Sequence, residues 1–118
     1  MVMFKKNDER YVEVRHNIRG GVGDPVSRHI FSPEELGGRA EMFTVMTLQP
    51  GESIGVHEHT ANGEAYYILS GSLTVSDDNE SRVLSAGDAQ FCADGHTHAV
   101  RNHTDEPASF LALILPNR

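Results

Sequence analysis

Tryptophan is absent from the 118 residues, and Cys92 is the only cysteine. A lone cysteine excludes an intramolecular disulfide framework. No nucleophile motif surrounds Cys92, so it reads as a small buried apolar residue, with a place near a metal as the lesser alternative. Basic residues are also scarce: ten Lys and Arg stand against 17 Asp and Glu, a formal charge of -7. No basic run exists, which removes the electrostatic footprint of nucleic-acid or acidic-membrane binding. An anionic small molecule is still compatible, because a metal and one or two arginines set the local field. The opening Met1-Val-Met-Phe-Lys-Lys lacks the apolar stretch of a signal peptide, and no later segment approaches a membrane span. The expectation is a soluble cytoplasmic protein. An apolar share of 38% is low, so a compact closed sheet suits this chain better than a large α/β domain.

Helical patterning is nearly missing as well. Ser32-Pro33-Glu34-Glu35-Leu36-Gly37 is the one convincing helical start, with Ser32 and Glu35 forming a capping box and Gly37 stopping it. It has room for about one turn and is a connector. Arg19-Gly-Gly-Val-Gly-Asp24 is glycine-rich, but no lysine or helix follows as a phosphate loop requires, so it reads as a flexible turn. The remainder alternates strand and turn. Strands are expected at Tyr11–Val14, Val26–Phe31, Met42–Leu48, Glu64–Leu69, Leu73–Val75, Arg82–Leu84, Ala89–Cys92, Thr97–Asn102 and Phe110–Leu115. Short strands separated by glycine-bearing turns indicate an all-β sandwich or barrel. No internal repeat or linker divides the chain, so one domain over 1-118 is expected, with N-terminal strands and connector in 1-39 and the barrel core in 40-115.

Metal-ligand residues are what the chain does have. On a strand, His57 and His59 face one side while Glu58 faces the other. Asn62-Gly63 is a strong hairpin signal and is expected to return the chain antiparallel, setting Glu64 across from His59. His98 is the natural fourth ligand, with Gly95 permitting a sharp turn before it and Asn102 closing the strand with an amide able to bond the backbone. Three imidazoles and a carboxylate suit one divalent transition metal (iron, manganese, nickel, cobalt or zinc) and leave coordination positions open.

These two segments resemble the paired motifs of the cupin superfamily. Gly51, His57, His59, Glu64 and Gly71 match every fixed position of the first motif. Gly87, Gly95, His98 and Asn102 match the second, with Ala93 where proline is usual, a departure that loosens a turn and removes no ligand. The resemblance implies a small single-domain cupin: a double-stranded β-helix, an RmlC-like jelly roll, with His57, His59, Glu64 and His98 holding the metal inside. It also implies a homodimer. It does not supply a reaction, since one fold hosts many functions.

Other residues are ranked by parity and chemistry. Tyr66 shares a face with Glu64, so its hydroxyl is a candidate to assist at the metal, packing being the alternative. His96, beside a glycine turn, is a candidate proton shuttle at the cavity mouth or an exposed turn residue. Phe91 reads as an interior wall, and either Met42, Thr44 and Met46 or Phe43, Val45 and Thr47 must face inward. Arg15, Arg19 and Arg28 are the available forks for an anionic substrate, surface charge being the blander reading. Arg101 is expected to face away from the metal, and His16, His29 and His103 to be solvated. The functional reading is an enzyme acting on a small oxygenated substrate by oxygenation, decarboxylation or isomerisation. The alternatives are a metal-organised binding or sensing module without turnover, and a metalloprotein with a structural metal or none.

Overall fold

The structure is a computed structural model and describes residues 3–117. Ten strands form two antiparallel sheets. They are β1 (Val12–Val14), β2 (Val26–His29), β3 (Met42–Leu48), β4 (Ser53–Glu58), β5 (Asn62–Ser70), β6 (Ser72–Asp77), β7 (Glu80–Ser85), β8 (Ala89–Cys92), β9 (Thr97–Arg101) and β10 (Ala108–Pro116). One sheet runs β1-β2-β3-β10-β5-β8 and the other β4-β9-β6-β7, the two faces of a jelly roll. The expected strands are all present; β5, β6, β7 and β10 each run three residues longer than expected, and β1, β2 and β9 stop one or two residues short.

Period-two burial sets the interior. Thr44, Met46 and Leu48 are buried on β3, so the even residues of that strand face in. With Ile54, Tyr66, Ile68, Leu73, Val75, Val100 and Phe110 they make one continuous core. Asn102, itself buried, fastens the end of β9. Its amide donates to Leu48 O at 2.9 Å and Glu106 O at 2.7 Å, while its Oδ1 accepts from the Thr104 N–H. The connector forms as a single turn held by the expected capping box, Glu35 N–H to Ser32 Oγ at 3.1 Å and Ser32 N–H to Glu35 Oε1 at 2.8 Å. It goes no further because Gly37 and Gly38 both turn left-handed, at φ 64 and 74. The glycine cluster carries a 3-10 turn, Ile18–Gly20, whose Ile18 side chain is buried in the core.

One expectation is overturned. Asn62-Gly63 is no hairpin turn: both residues already belong to β5, which pairs with β10 and β8, while β4 pairs with β9 in the other sheet. The chain crosses between sheets at Thr60-Ala61, where Ala61 takes φ 64. Glu64 therefore stands opposite Cys92 and Ile114, and approaches the histidines from across the interior.

Candidate metal centre

Two sheets supply this site. In the register of β4 with β9, His57 is directly opposite His98. His59 follows just past the end of β4 and faces the same side as His57. Glu64 comes from β5, where Glu64, Tyr66 and Ile68 point inward and are buried. The Glu64 Oε1 lies 3.0 Å from His59 Nε2, 3.0 Å from His98 Nε2 and 3.7 Å from His57 Nε2. His59 Nε2 and His98 Nε2 are 3.1 Å apart.

The outer ring nitrogens determine what these inner atoms can be. His57 Nδ1–H donates to Gly55 O at 2.8 Å, His59 Nδ1–H to Asn62 Oδ1 at 2.8 Å, and His98 Nδ1–H to Gln90 Oε1 at 3.0 Å. Each acceptor is a carbonyl oxygen, so each ring keeps its proton on Nδ1 and turns an Nε2 lone pair inward. Three lone pairs and a carboxylate oxygen then face one another with no proton left to share. A cation at their centre resolves that arrangement. Ligands about 2.1 Å from an ion and at right angles would stand about 3.0 Å apart, and three of the separations here are 3.0, 3.0 and 3.1 Å. The donor set and its spacing thus fit a divalent transition ion, with the hydrogen bonds that orient the three rings already in place.

Burial works against charge on Glu64, but the His57, His98 and His59 rings, which favour the carboxylate whenever one of them takes up a second proton on Nε2, outweigh it and lower its pKa to about 2. Burial also outweighs the pull of Glu64 on His98 and lowers that imidazole below its usual 6.5. Both groups bind protons more readily in the unfolded chain than in the folded one. Stability of the metal-free protein is therefore full above about pH 6.5 and is lost as pH falls, first through His98, then through Glu64. The carboxylate share, lost between pH 4.5 and about 2, is on the order of 3 kcal/mol. Thermal unfolding of chelator-treated protein at about pH 7.5, 5.5 and 3.5 should give successively lower midpoints. A midpoint that rises on acidification would contradict this assignment.

Tyr66 stacks on His98 at 4.5 Å and 15°, with Phe110 edge-on behind it at 4.7 Å. Burial, then the Glu64 charge, push its phenol well above 10, so it stays protonated and keeps a hydroxyl able to donate. The adjoining cavity is small, about 80 Å³, and is walled by Ile18, Met46, Ile54 and Phe110. Arg15 and Arg19 line it and also the wider cleft outside, about 720 Å³, into which His59 and Met42 reach. Two of the three candidate forks thus sit at the metal cavity. Arg28 does not: it is exposed on β2, where buried Ser27 takes the inward position.

Several residues lie elsewhere than expected. Phe91 is no interior wall but 53% exposed, and Gln90 points inward instead. His96 lines a separate cleft with Val75, Leu84 and Phe91, its Nδ1 2.5 Å from Asp78 Oδ2. That bond raises the His96 pKa. His29 is not solvated; it bonds Glu13 Oε1 at 2.8 Å and stacks on Tyr11. His16 and His103 are exposed, and each has a partner, Asp24 and Thr74 respectively. Arg101 is exposed and Cys92 fully buried, as anticipated, with burial raising the thiol to about 11. Sequence reading missed Asn62 and Gln90 as partners of the ring nitrogens. Parity along β8 places Gln90 with Cys92, and that was the available signal.

Residues 44–114 match the family model described as a cupin domain. The chain is 34% identical over 113 residues to a Thermotoga maritima protein named oxalate-binding protein, covering 96% of this chain and 93% of that one. The crystal structure of a predicted oxalate decarboxylase from Thermotoga maritima superposes with a TM-score of 0.92 at 34% identity, over 97% of this chain and 99% of the other. KdgF from a Halomonas species, 20% identical, shares the fold with a TM-score of 0.78 over 98% and 96% of the two chains.

Proposed function

This chain belongs to the cupin family, and from that premise we propose that it holds one divalent transition metal at His57, His59, Glu64 and His98 and binds a small oxygenated anion of the oxalate class beside it. The observation that carries the proposal is the set of three ring nitrogens, each with its ring proton committed elsewhere, that face one carboxylate oxygen. Iron, manganese, nickel, cobalt and zinc all accept such ligands. A metal so bound would polarise an oxygen of the anion as a Lewis acid. The protein's own side chains do the rest. Arg15 and Arg19 draw the anion through the mouth and offer planar donors to a carboxylate. Tyr66 offers a hydroxyl that remains protonated, and the apolar wall excludes water. A cavity of about 80 Å³ admits a molecule of only a few heavy atoms.

The proposal includes turnover: decarboxylation, oxygenation or isomerisation at the open positions of the metal, with Tyr66 assisting. His96 enters only from outside, on the far side of Gln90. One observation favours the second reading, binding without turnover. Besides the proposed metal-holding residues, the polar side chains lining the cavity are Arg15, Arg19 and Tyr66, and no further carboxylate or imidazole stands there to act as a base. The whole chain is taken as one such domain. An association of two copies is supported by the apolar outer face of the larger sheet, where Tyr67, Leu69, Phe91 and Leu115 are exposed.

Metal-loaded protein, sized by light scattering and titrated with oxalate, tests all of this. Two chain masses and saturable binding are expected, with Arg15→Leu and Arg19→Leu each weakening binding about tenfold by removing a charge-assisted hydrogen bond. Carbon dioxide release or oxygen uptake would establish turnover; binding alone would establish the second reading. Loaded protein that ignores oxalate would overturn the substrate class.

A further inference from the structure

Gln90 lies on β8, an edge strand, opposite Tyr66 on β5. It turns inward while Ala89 and Phe91 face out. Its Oε1 accepts the His98 Nδ1–H at 3.0 Å. Its Nε2 is buried and has no partner, alone in this among the side-chain polar atoms of the described residues. An enclosed amide with one end unmet is unfavourable, and leucine would fill the same position without it. The position therefore asks for something an apolar side chain cannot give.

What it gives is an acceptor. The two ends of the amide have opposite consequences for the ring. With Oε1 toward His98, the ring proton stays on Nδ1 and Nε2 is a free lone pair. With the amide reversed, its N–H₂ would need an acceptor at Nδ1, the proton would move to Nε2, and the inward lone pair would be lost. Gly55 O and Asn62 Oδ1 impose the same Nδ1–H form on His57 and His59. Gln90 completes the set from the opposite sheet. It also forms part of the wall of a cleft of about 550 Å³ between the β7 and β8 edges.

We infer that Gln90 is a positioning residue for the metal: without touching the ion, it holds His98 in the Nδ1–H form with Nε2 aimed inward. The inference rests on the metal reading above. Cobalt(II) titration of chelator-treated protein tests it, alongside pulsed electron-spin spectroscopy of the copper(II)-loaded form, which senses the remote ring nitrogen of a bound imidazole. Gln90→Leu should bind cobalt about 10–100-fold more weakly, and Gln90→Glu, which keeps an acceptor oxygen, should stay within about threefold of wild type. The remote-nitrogen signal should change in the leucine protein and persist in the glutamate protein. The metal-free melting midpoint of the leucine protein should hold, because His98 can then place its proton on Nε2 and donate to Glu64. Gln90→Met, similar in length, serves equally if the leucine protein does not fold. Equal cobalt affinity in wild type and the apolar variants overturns the inference and leaves the metal site standing. So does a glutamate protein as weak as the leucine one. Wild type that binds no cobalt overturns both.

Discussion

Replacing His57 and His98 together by alanine should abolish metal binding, a loss of at least about a thousandfold in affinity. The two rings face each other across β4 and β9, so the double change empties one side of the site and leaves His59 with Glu64. Two protein ligands fall short of the three or four that protein transition-metal sites use. Elemental analysis of wild type should find close to one transition ion per chain, and the variant none. Thermal unfolding with and without added metal provides the second reading. Wild type should melt higher as metal is added, because only the folded state binds it, and the variant should not respond. Loss of the His98 stack on Tyr66 lowers the metal-free midpoint as well, so the response to metal, not the midpoint, is the decisive quantity. Iron in the wild type would direct substrate screening to oxygen-consuming reactions; zinc or nickel would direct it to lyase or isomerase chemistry. A variant that still holds its metal would sink the site.

The residues proposed to hold the metal were legible because each lies in a short run whose pattern can be read by itself. Strand parity places His57 and His59 on one face regardless of what β4 pairs with, and glycine with asparagine brackets His98. Of the partners that aim those rings, Gly55 and Asn62 are sequence neighbours of His57 and His59, whereas Gln90 comes from a strand of the other sheet. Asn62-Gly63 looked like a turn, yet the glycine is there for another reason. A Cβ on Gly63 would lie 2.5 Å from Phe91 Cζ and 3.1 Å from Cys92 O, so the glycine lets β8 and its Phe91 ring pack closer than a side chain here would leave room for. The left-handed residue that a turn needs is Ala61, which nothing in its side chain announces. Gln90 was hidden by bulk. In Ala89–Cys92 the phenylalanine looks like the core residue, but the register with β5 puts Phe91 opposite outward Ala65 and Gln90 opposite inward Tyr66. Glu13 and His29 are 16 residues apart and meet only because β1 pairs with β2. Spacing reads one strand at a time, whereas register belongs to two.

The arginines depend on a tertiary contact, and that contact yields the other large effect expected here. Gly21 and Gly55 let the segment carrying Arg15 and Arg19 lie flat against β4. A Cβ on Gly21 would fall 2.2 Å from Ser53 O and 2.9 Å from Gly55 N, and one on Gly55 only 2.0 Å from Arg19 O. These are backbone atoms that no rotamer change can clear. The contact is tied by Ser53 N–H to Val22 O at 2.9 Å and Val22 N–H to Ser53 Oγ at 3.0 Å. It also holds Arg19 at φ 55 and ψ 34, a left-handed conformation that costs a non-glycine residue energy and persists because the surroundings enforce it. Gly21→Ala must therefore lift the segment off β4, at a stability cost of about 1–3 kcal/mol. Both arginines move with it. Affinity for an oxalate-class anion should fall on the order of a hundredfold, as two charge-assisted contacts are lost together. Metal affinity should stay within about threefold of wild type, because the proposed metal-holding residues and the acceptors of their ring protons lie on β4, β5, β8 and β9 or, for His59, just past β4, and not on the lifted segment. Calorimetric titrations of cobalt(II) and then oxalate into Gly21→Ala separate the two effects. Parallel losses of metal and anion would mean that the segment supports the whole barrel. Retention of both would mean that Arg15 and Arg19 are not what the anion meets.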